Sequence, residues 1–162
     1  MIRERLYLGD YASGLAALAG VRRDLDGRPA PFSAVVSLCP MPLFPEDRVD
    51  APECPETEWL EMPIADGGNG EHEFEGVLSV ALPFITRRLQ AGNVLVHCAA
   101  GMSRSVSVVA AVLCERESLT AASAFQHVAR AKARAPGVRA RDPLSLIEPA
   151  PEFRRCLQRR FG

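Results

Sequence analysis

"VLVHCAAGMSRSVSVVAAVL", residues Val94–Leu113, sets one cysteine between two apolar runs. The first run is aliphatic and β-branched, so it reads as a buried strand that ends on His97 and Cys98. The second, Ser103 to Arg116, is apolar on nearly every side at helical spacing and reads as a core helix. Between them lie only small residues and Met102, and Arg104 opens the helix. A strand, a tight loop and a helix N-terminus in that order aim several backbone N–H groups at one spot and favour negative charge there. The loop is built to hold an oxyanion.

Each residue type fits that purpose. Gly101 permits backbone conformations that a Cβ forbids, and Ala99 and Ala100 keep the floor of the loop open. Ser103 and Ser105 add hydroxyl groups. Arg104 can present a planar fork to two oxygens of one phosphate, which lysine cannot. Cys98 meets an electropositive setting of the kind that turns a thiol into a nucleophile. A cysteine, five residues and an arginine is weak evidence by itself in a chain with eighteen arginines and one lysine, Lys132. The strand, the small-residue loop and the buried helix around the pair carry the reading.

The whole chain sets limits on everything else. Its 162 residues suffice for one domain with a real core. A formal net charge of −1 draws it to neither nucleic acid nor an anionic membrane, so any anion must be bound locally. The start, "MIRERLYLGDY", has no apolar signal core and no run is long enough to span a bilayer, so the expected location is the cytosol. Cys39, Cys54, Cys98, Cys114 and Cys156 are odd in number and form no CxxC pair, which argues against a disulfide framework or a zinc site. No metal or other cofactor is expected.

Along the chain, Ile2 to Leu8 reads as an edge strand and "ASGLAALAG" as a short helix closed by Gly20. "SAVVSLC", Ser33 to Cys39, reads as a buried strand. Pro40 to Glu58 holds five prolines and six carboxylates and reads as a surface loop. "WLEMPI" resumes a strand, "ADGGNGEHE" is a mobile loop, and Phe74 to Gln90 has helical spacing with an expected kink at Pro83. Thr120 fits the N-cap of a helix through Arg134, and a last arginine-rich helix runs from Glu152 to Arg160. Strands alternating with helices predict a single α/β domain with a twisted, mostly parallel sheet flanked by helices.

"HCAAGMSRS", His97 to Ser105, resembles the signature loop of the cysteine-dependent protein tyrosine phosphatase superfamily, the dual-specificity branch in particular. "IRERLYLGDYAS", "SAVVSL", "AGNVLVHC" and "LTAASAFQHVARAK" are similar to other segments of that family, so the likeness covers residues 2 to 134. It implies the family's phosphatase fold and a phosphoprotein phosphatase activity, with a catalytic domain spanning residues 1–162. Beyond Arg134 nothing is carried over.

Displacing an alkoxide or phenoxide from phosphate needs a proton for the leaving oxygen, so a carboxylic acid should face Cys98. The family carries an aspartate on a loop about thirty residues before its cysteine. Asp66 lies 32 residues before Cys98 and precedes a run of glycines. Glu71, Glu73 and Glu75 read as solvated first-turn residues of the next helix, with Glu71 as the fallback acid. The implied mechanism has two steps: Cys98 takes the phosphoryl group while Asp66 protonates the leaving oxygen, then Asp66 activates water against the thiophosphate. Arg104 and the amides of Ala99, Ala100, Gly101, Met102 and Ser103 steady the equatorial oxygens. Ser105 eases the departure of sulfur, and His97 supports the loop.

Phosphoinositide-directed relatives put lysines inside the loop, whereas this one has Ala99, Ala100 and Met102. The expected partner is therefore a phosphorylated protein or peptide carrying phosphotyrosine, with phosphoserine and phosphothreonine open, acted on by a monomer. A phosphatase for a non-protein phosphoester, or a non-catalytic phosphate-binding relative, stands as the alternative. The arginines of the last helix (Arg154, Arg155, Arg159, Arg160) read as a solvated face or a patch for an acidic partner.

Overall fold

The computed structural model describes residues 1–20 and 31–162. In chain order the elements are β1 (Leu6–Gly9), α1 (Tyr11–Leu18), β2 (Ala34–Ser37), β3 (Glu58–Glu61), α2 (Glu71–Ala91), β4 (Val94–His97), α3 (Arg104–Glu117), α4 (Ala121–Ala133), a 3-10 turn (Pro143–Leu146) and α5 (Pro151–Phe161). The four strands form one sheet in the order β1-β4-β2-β3, with every pairing parallel. This is the single α/β domain that the alternation of strands and helices predicts.

The aliphatic run is central because both of its faces are covered. Every residue of β4 and of β2 is buried, the condition under which strands read as continuous apolar runs. On one face Ala34, Val36, Val94 and Val96 join the main core with α2, α3, α4 and α5. On the other, Val35 and Leu95 pack against Ala17 and Leu18 of α1 in a smaller cluster. Each such valine contributes roughly 1.5–3 kcal/mol by leaving water. Helix α3 is buried without interruption from Ser105 to Cys114, which is why it carries no amphipathic stripe.

Several boundaries move. The first strand is shorter than Ile2–Leu8, because Arg5 adopts a left-handed φ of 65° and residues 2 to 6 close a tight turn instead. "WLEMPI" keeps strand geometry only to Glu61, although the Met62 and Ile64 amides still reach the carbonyls of Ser37 and Leu38. Helix α2 begins three residues before Phe74, continues through Pro83 and ends at Gly92. Thr120 caps α4 by accepting the Ser123 amide. The arginines of α5 stay solvent-exposed, but the face also carries ion pairs: Arg155 and Arg159 pair with Glu71, and Arg159 also pairs with Glu75, clamping α5 to the start of α2. Glu71 and Glu75 are accordingly not the free first-turn carboxylates expected from sequence. No helix among the described residues is long and apolar enough to cross a membrane.

The sheet places the Cys98 loop at a crevice. β1 leads into α1 on one face, while its neighbour β4 leads into α3 on the other, and ligands of open parallel sheets bind where adjacent connections diverge in this way. His97 pairs with Gly9 on one side and Ser37 on the other, so Cys98 emerges between the ends of β1 and β2.

Candidate active site

The loop after β4 is held by its oxygens. The carbonyl of Cys98 accepts from His97 Nδ1, that of Ala99 from the Tyr11 amide, and that of Gly101 from Lys132 Nζ. The Met102 carbonyl accepts from the Glu148 amide, and that of Ser103 from the amide and hydroxyl of Ser107. These partners belong to β4, α1, α4, the segment before α5, and α3. By contrast, none of the amides from Ala99 to Arg104 donates to a protein acceptor among the described residues. Backbone N–H groups left in this state need a partner, and a run of them at the N-terminus of α3 suits an anion.

Gly101 is essential to that shape. Its φ is 68°, and a Cβ would stand 3.2 Å from the Gly9 carbonyl oxygen. Cys98 is 2% exposed, with Sγ 3.2 Å from Ser105 Oγ. Ser105 is itself fully buried, so its hydroxyl has the sulfur as its side-chain partner. Ser103 is also buried, and its hydroxyl oxygen accepts the Ala150 amide at 3.0 Å. That oxygen is committed to the fold.

Arg104 is anchored on one arm only. Nη1 donates to the carbonyls of Ile64 at 3.0 Å and Leu38 at 3.4 Å. Nε is buried and has no partner among the described residues. An orphaned guanidinium donor beside six unpaired amides is the half of a fork that a phosphate oxygen would complete.

His97 is fully buried within a polar chain that the sequence did not reveal. Trp59 Nε1 donates to Ser37 Oγ at 3.0 Å, and Ser37 Oγ lies 2.6 Å from His97 Nε2. Because a carbonyl can only accept, the 3.2 Å contact from His97 Nδ1 to Cys98 O assigns the proton to Nδ1. Nε2 then accepts from Ser37. Burial lowers the pKa of His97 below its ordinary value, with Arg104 adding to the effect against Asp10 and the Cys98 carbonyl, so the neutral ring fits this chain. The serine inside the apolar "SAVVSLC" was the one available signal.

Lys132 was also missed, although it is the only lysine of the chain. Half-buried on α4, it clasps Gly101 from outside the loop, and burial lowers its pKa while Cys98 and Asp10 oppose that shift.

Asp66 sits on the exposed turn between β3 and α2. Its carboxylate makes no hydrogen bond or ion pair with a described residue. The turn itself is tied down: Arg104 holds the Ile64 carbonyl, and Asn69 Nδ2 donates back to the Ala65 carbonyl at 2.6 Å. Glu71 is bound by Arg155 and Arg159, which lower its pKa, so it is engaged with α5. All five cysteines are free thiols.

This arrangement can bind a tetrahedral oxyanion on amides and a guanidinium and set a sulfur beneath it. A parallel α/β sheet with such a loop after its central strand defines a phosphate-handling, cysteine-centred class of protein. Residues 41–157 match the dual specificity phosphatase catalytic domain. The chain belongs to that family, the cysteine-based phosphomonoester hydrolases of dual specificity. Over 39 residues it is 54% identical to Dual specificity protein phosphatase 1 of Arabidopsis thaliana, a stretch that is 24% of this chain and 20% of that protein. The matched stretch thus spans about a fifth of that curated relative's length. Among solved structures it resembles human DUSP28 at 23% identity and a TM-score of 0.61, covering 98% of this chain and 92% of that one. DUSP15 is 24% identical with a TM-score of 0.66, over 98% and 84% of the two chains. The human tyrosine phosphatase-like serine/threonine/tyrosine-interacting protein is 22% identical with a TM-score of 0.67, over 99% and 93%. At these identities the likeness speaks for the fold.

Proposed function

We propose that this chain hydrolyses phosphotyrosine, and phosphoserine or phosphothreonine where the cleft admits them, on protein or peptide substrates through a cysteinyl-phosphate. The observation that carries this reading is the loop whose carbonyls at Cys98, Ala99, Gly101, Met102 and Ser103 are engaged while, among the described residues, its amides and Arg104 Nε have no protein acceptor. In the first step Cys98 sulfur bonds to phosphorus, the ester P–O bond breaks, and Asp66 gives its proton to the leaving oxygen. In the second, water attacks phosphorus, its proton passes to the Asp66 carboxylate, and the S–P bond breaks to restore the thiolate and release phosphate. The Ser105 hydroxyl donates to sulfur as it departs. The loop amides and Arg104 stabilise charge on the equatorial oxygens, which is the main source of rate in phosphoryl transfer.

The N-terminal β1 and α1 belong to the catalytic unit, since Tyr11 holds Ala99 and Gly9 supports Gly101. We therefore read residues 1–162 as one catalytic domain. Five free thiols suit a reducing cytoplasm. The loop's Ala99, Ala100 and Met102 add no charge for a multiply phosphorylated lipid or sugar headgroup, which favours a phosphopeptide. The test is hydrolysis of an aryl phosphate and of tyrosine-phosphorylated peptides without divalent metal, by wild type and by Cys98→Ser. Activity that survives the substitution, or that requires a divalent ion, defeats the proposal.

A further inference from the structure

Glu152 is the only buried carboxylate among the described residues, 7% exposed at the start of α5. Among the described residues no ion pair satisfies it. Its Oε1 accepts the backbone amide of Asn69 at 3.2 Å, across 83 positions of sequence. Asn69 in turn reaches Ala65 O with its side chain, closing the turn that holds Asp66, Gly67 and Gly68. Gly67 and Gly68 take φ values of 114° and 76°, and a Cβ on Gly67 would lie 4.0 Å from the Glu152 oxygen. Its own amide at the start of α5, the Asn69 contacts and Arg155 all favour its charged form, and of these only the bond to Asn69 leads out of α5 to the Asp66 turn.

The turn is thus held at two points from two elements. Arg104 fixes its entry at Ile64, and Glu152 fixes its exit at Asn69. Asp66 stands exposed between them with no bond of its own, so its carboxylate can be aimed only through the backbone. We propose that Glu152 is a positioning residue for the reaction: α5 seats the Asp66 turn through the Glu152 to Asn69 bond and sets where the proton is delivered. The proposal rests on reading Asp66 as the general acid. A general acid is worth roughly 10²–10⁴ in rate, and misplacement of a reacting group by an ångström can cost about a hundredfold.

The experiment compares phenyl phosphate, whose leaving group needs a proton, with p-nitrophenyl phosphate, whose leaving group needs one far less. Wild type, Glu152→Ala, Glu152→Gln, Asp66→Asn and the double variant Asp66→Asn/Glu152→Ala are assayed for kcat and KM. Glu152→Ala should lower kcat on phenyl phosphate roughly ten- to a hundredfold, with a much smaller loss on the nitrophenyl ester and KM unchanged on both. Glu152→Gln keeps an acceptor for the Asn69 amide and should retain most of the rate. The double variant should be as slow as Asp66→Asn alone, because the two residues act through one proton. Equal loss on both esters, or a double variant slowed by the full Glu152→Ala factor, overturns the positioning role while leaving the acid in place. An Asp66→Asn enzyme with no leaving-group-dependent loss overturns the acid assignment instead. Should Glu152→Ala fail to fold by thermal unfolding, Glu152→Asp, which keeps the charge but draws the oxygen back from the Asn69 amide, must show the same selective loss, or the proposal fails.

Discussion

Arg104 donates one arm of its guanidinium to the Ile64 carbonyl at 3.0 Å, while its Nε remains buried and unpartnered. The side chain therefore does two things that a single ammonium cannot do together: it ties the turn before Asp66 to the loop after β4 and keeps a donor in reserve. Arg104→Lys should lower kcat/KM on an aryl phosphate by roughly 10²–10³, the scale of losing a preorganised donor to an oxyanion. It should also weaken competitive inhibition by tungstate. A variant within threefold of wild type would contradict the assignment.

The 3.2 Å contact between Cys98 and Ser105 makes a separate prediction. A hydrogen bond to a charged partner is worth about 1.5–3 kcal/mol, and in the proposed mechanism it acts on sulfur as a leaving group. Ser105→Ala should slow the second step roughly ten- to a hundredfold, so that phenol release shows a burst and phosphorylated enzyme accumulates for detection by intact mass. Slower turnover without a burst would place Ser105 in the first step.

Gly14 lies directly beneath the His97 ring, where a Cβ would stand 2.3 Å from Cε1. Alanine in the middle of a helix normally adds about 1 kcal/mol over glycine. Here overpacking against a ring already pinned by Ser37 should outweigh that gain, leaving Gly14→Ala about 1–3 kcal/mol less stable by urea unfolding. Activity should fall with it as Nδ1 loses the Cys98 carbonyl. A more stable variant would show that the ring has room to move.

His97 also sets an acid limit on stability. Its folded pKa lies below the ordinary 6.5 because burial disfavours the imidazolium, with Arg104 reinforcing that and Asp10 opposing it. As pH falls past about 6.5 the unfolded chain takes up a proton that the native chain refuses. Stability should therefore decline below pH 6.5 and level off above it. The lowered carboxylates Glu71, Glu117 and Glu152 act in a separate window, stabilising above their ordinary 4.5 and losing that contribution only in stronger acid. Urea titrations at pH 7.5, 6.5 and 5.5 measure the first window, and His97→Gln should flatten it. An unchanged slope in that variant would assign the decline to other groups.

Much of the site could be read from residues adjacent in the chain. Val94 to Leu113 announces a buried strand, a small-residue turn and a core helix, and those three fix where Cys98, the free amides and Arg104 stand relative to each other. What escaped was every partner distant in sequence. Tyr11 on Ala99, Lys132 on Gly101 and the Glu148 amide on Met102 carry no local pattern. The segment after Arg134 had no recognisable motif, yet it supplies two of the contacts that hold the loop, at Met102 and Ser103.

The amino-acid order alone determined the class of fold, the loop and the place of its cysteine, because apolar periodicity, small residues and a cysteine at a strand end act through nearest neighbours and survive in any packing of those elements. Only the tertiary structure decided that the loop's oxygens would be taken up and its nitrogens left over. It likewise decided that His97 would be neutral between Ser37 and Cys98, and that a glutamate on the last helix would hold the turn of Asp66. Those outcomes depend on which surfaces meet when the sheet is covered, and a side chain's partner across 83 residues is set by that meeting and by nothing in its own neighbourhood.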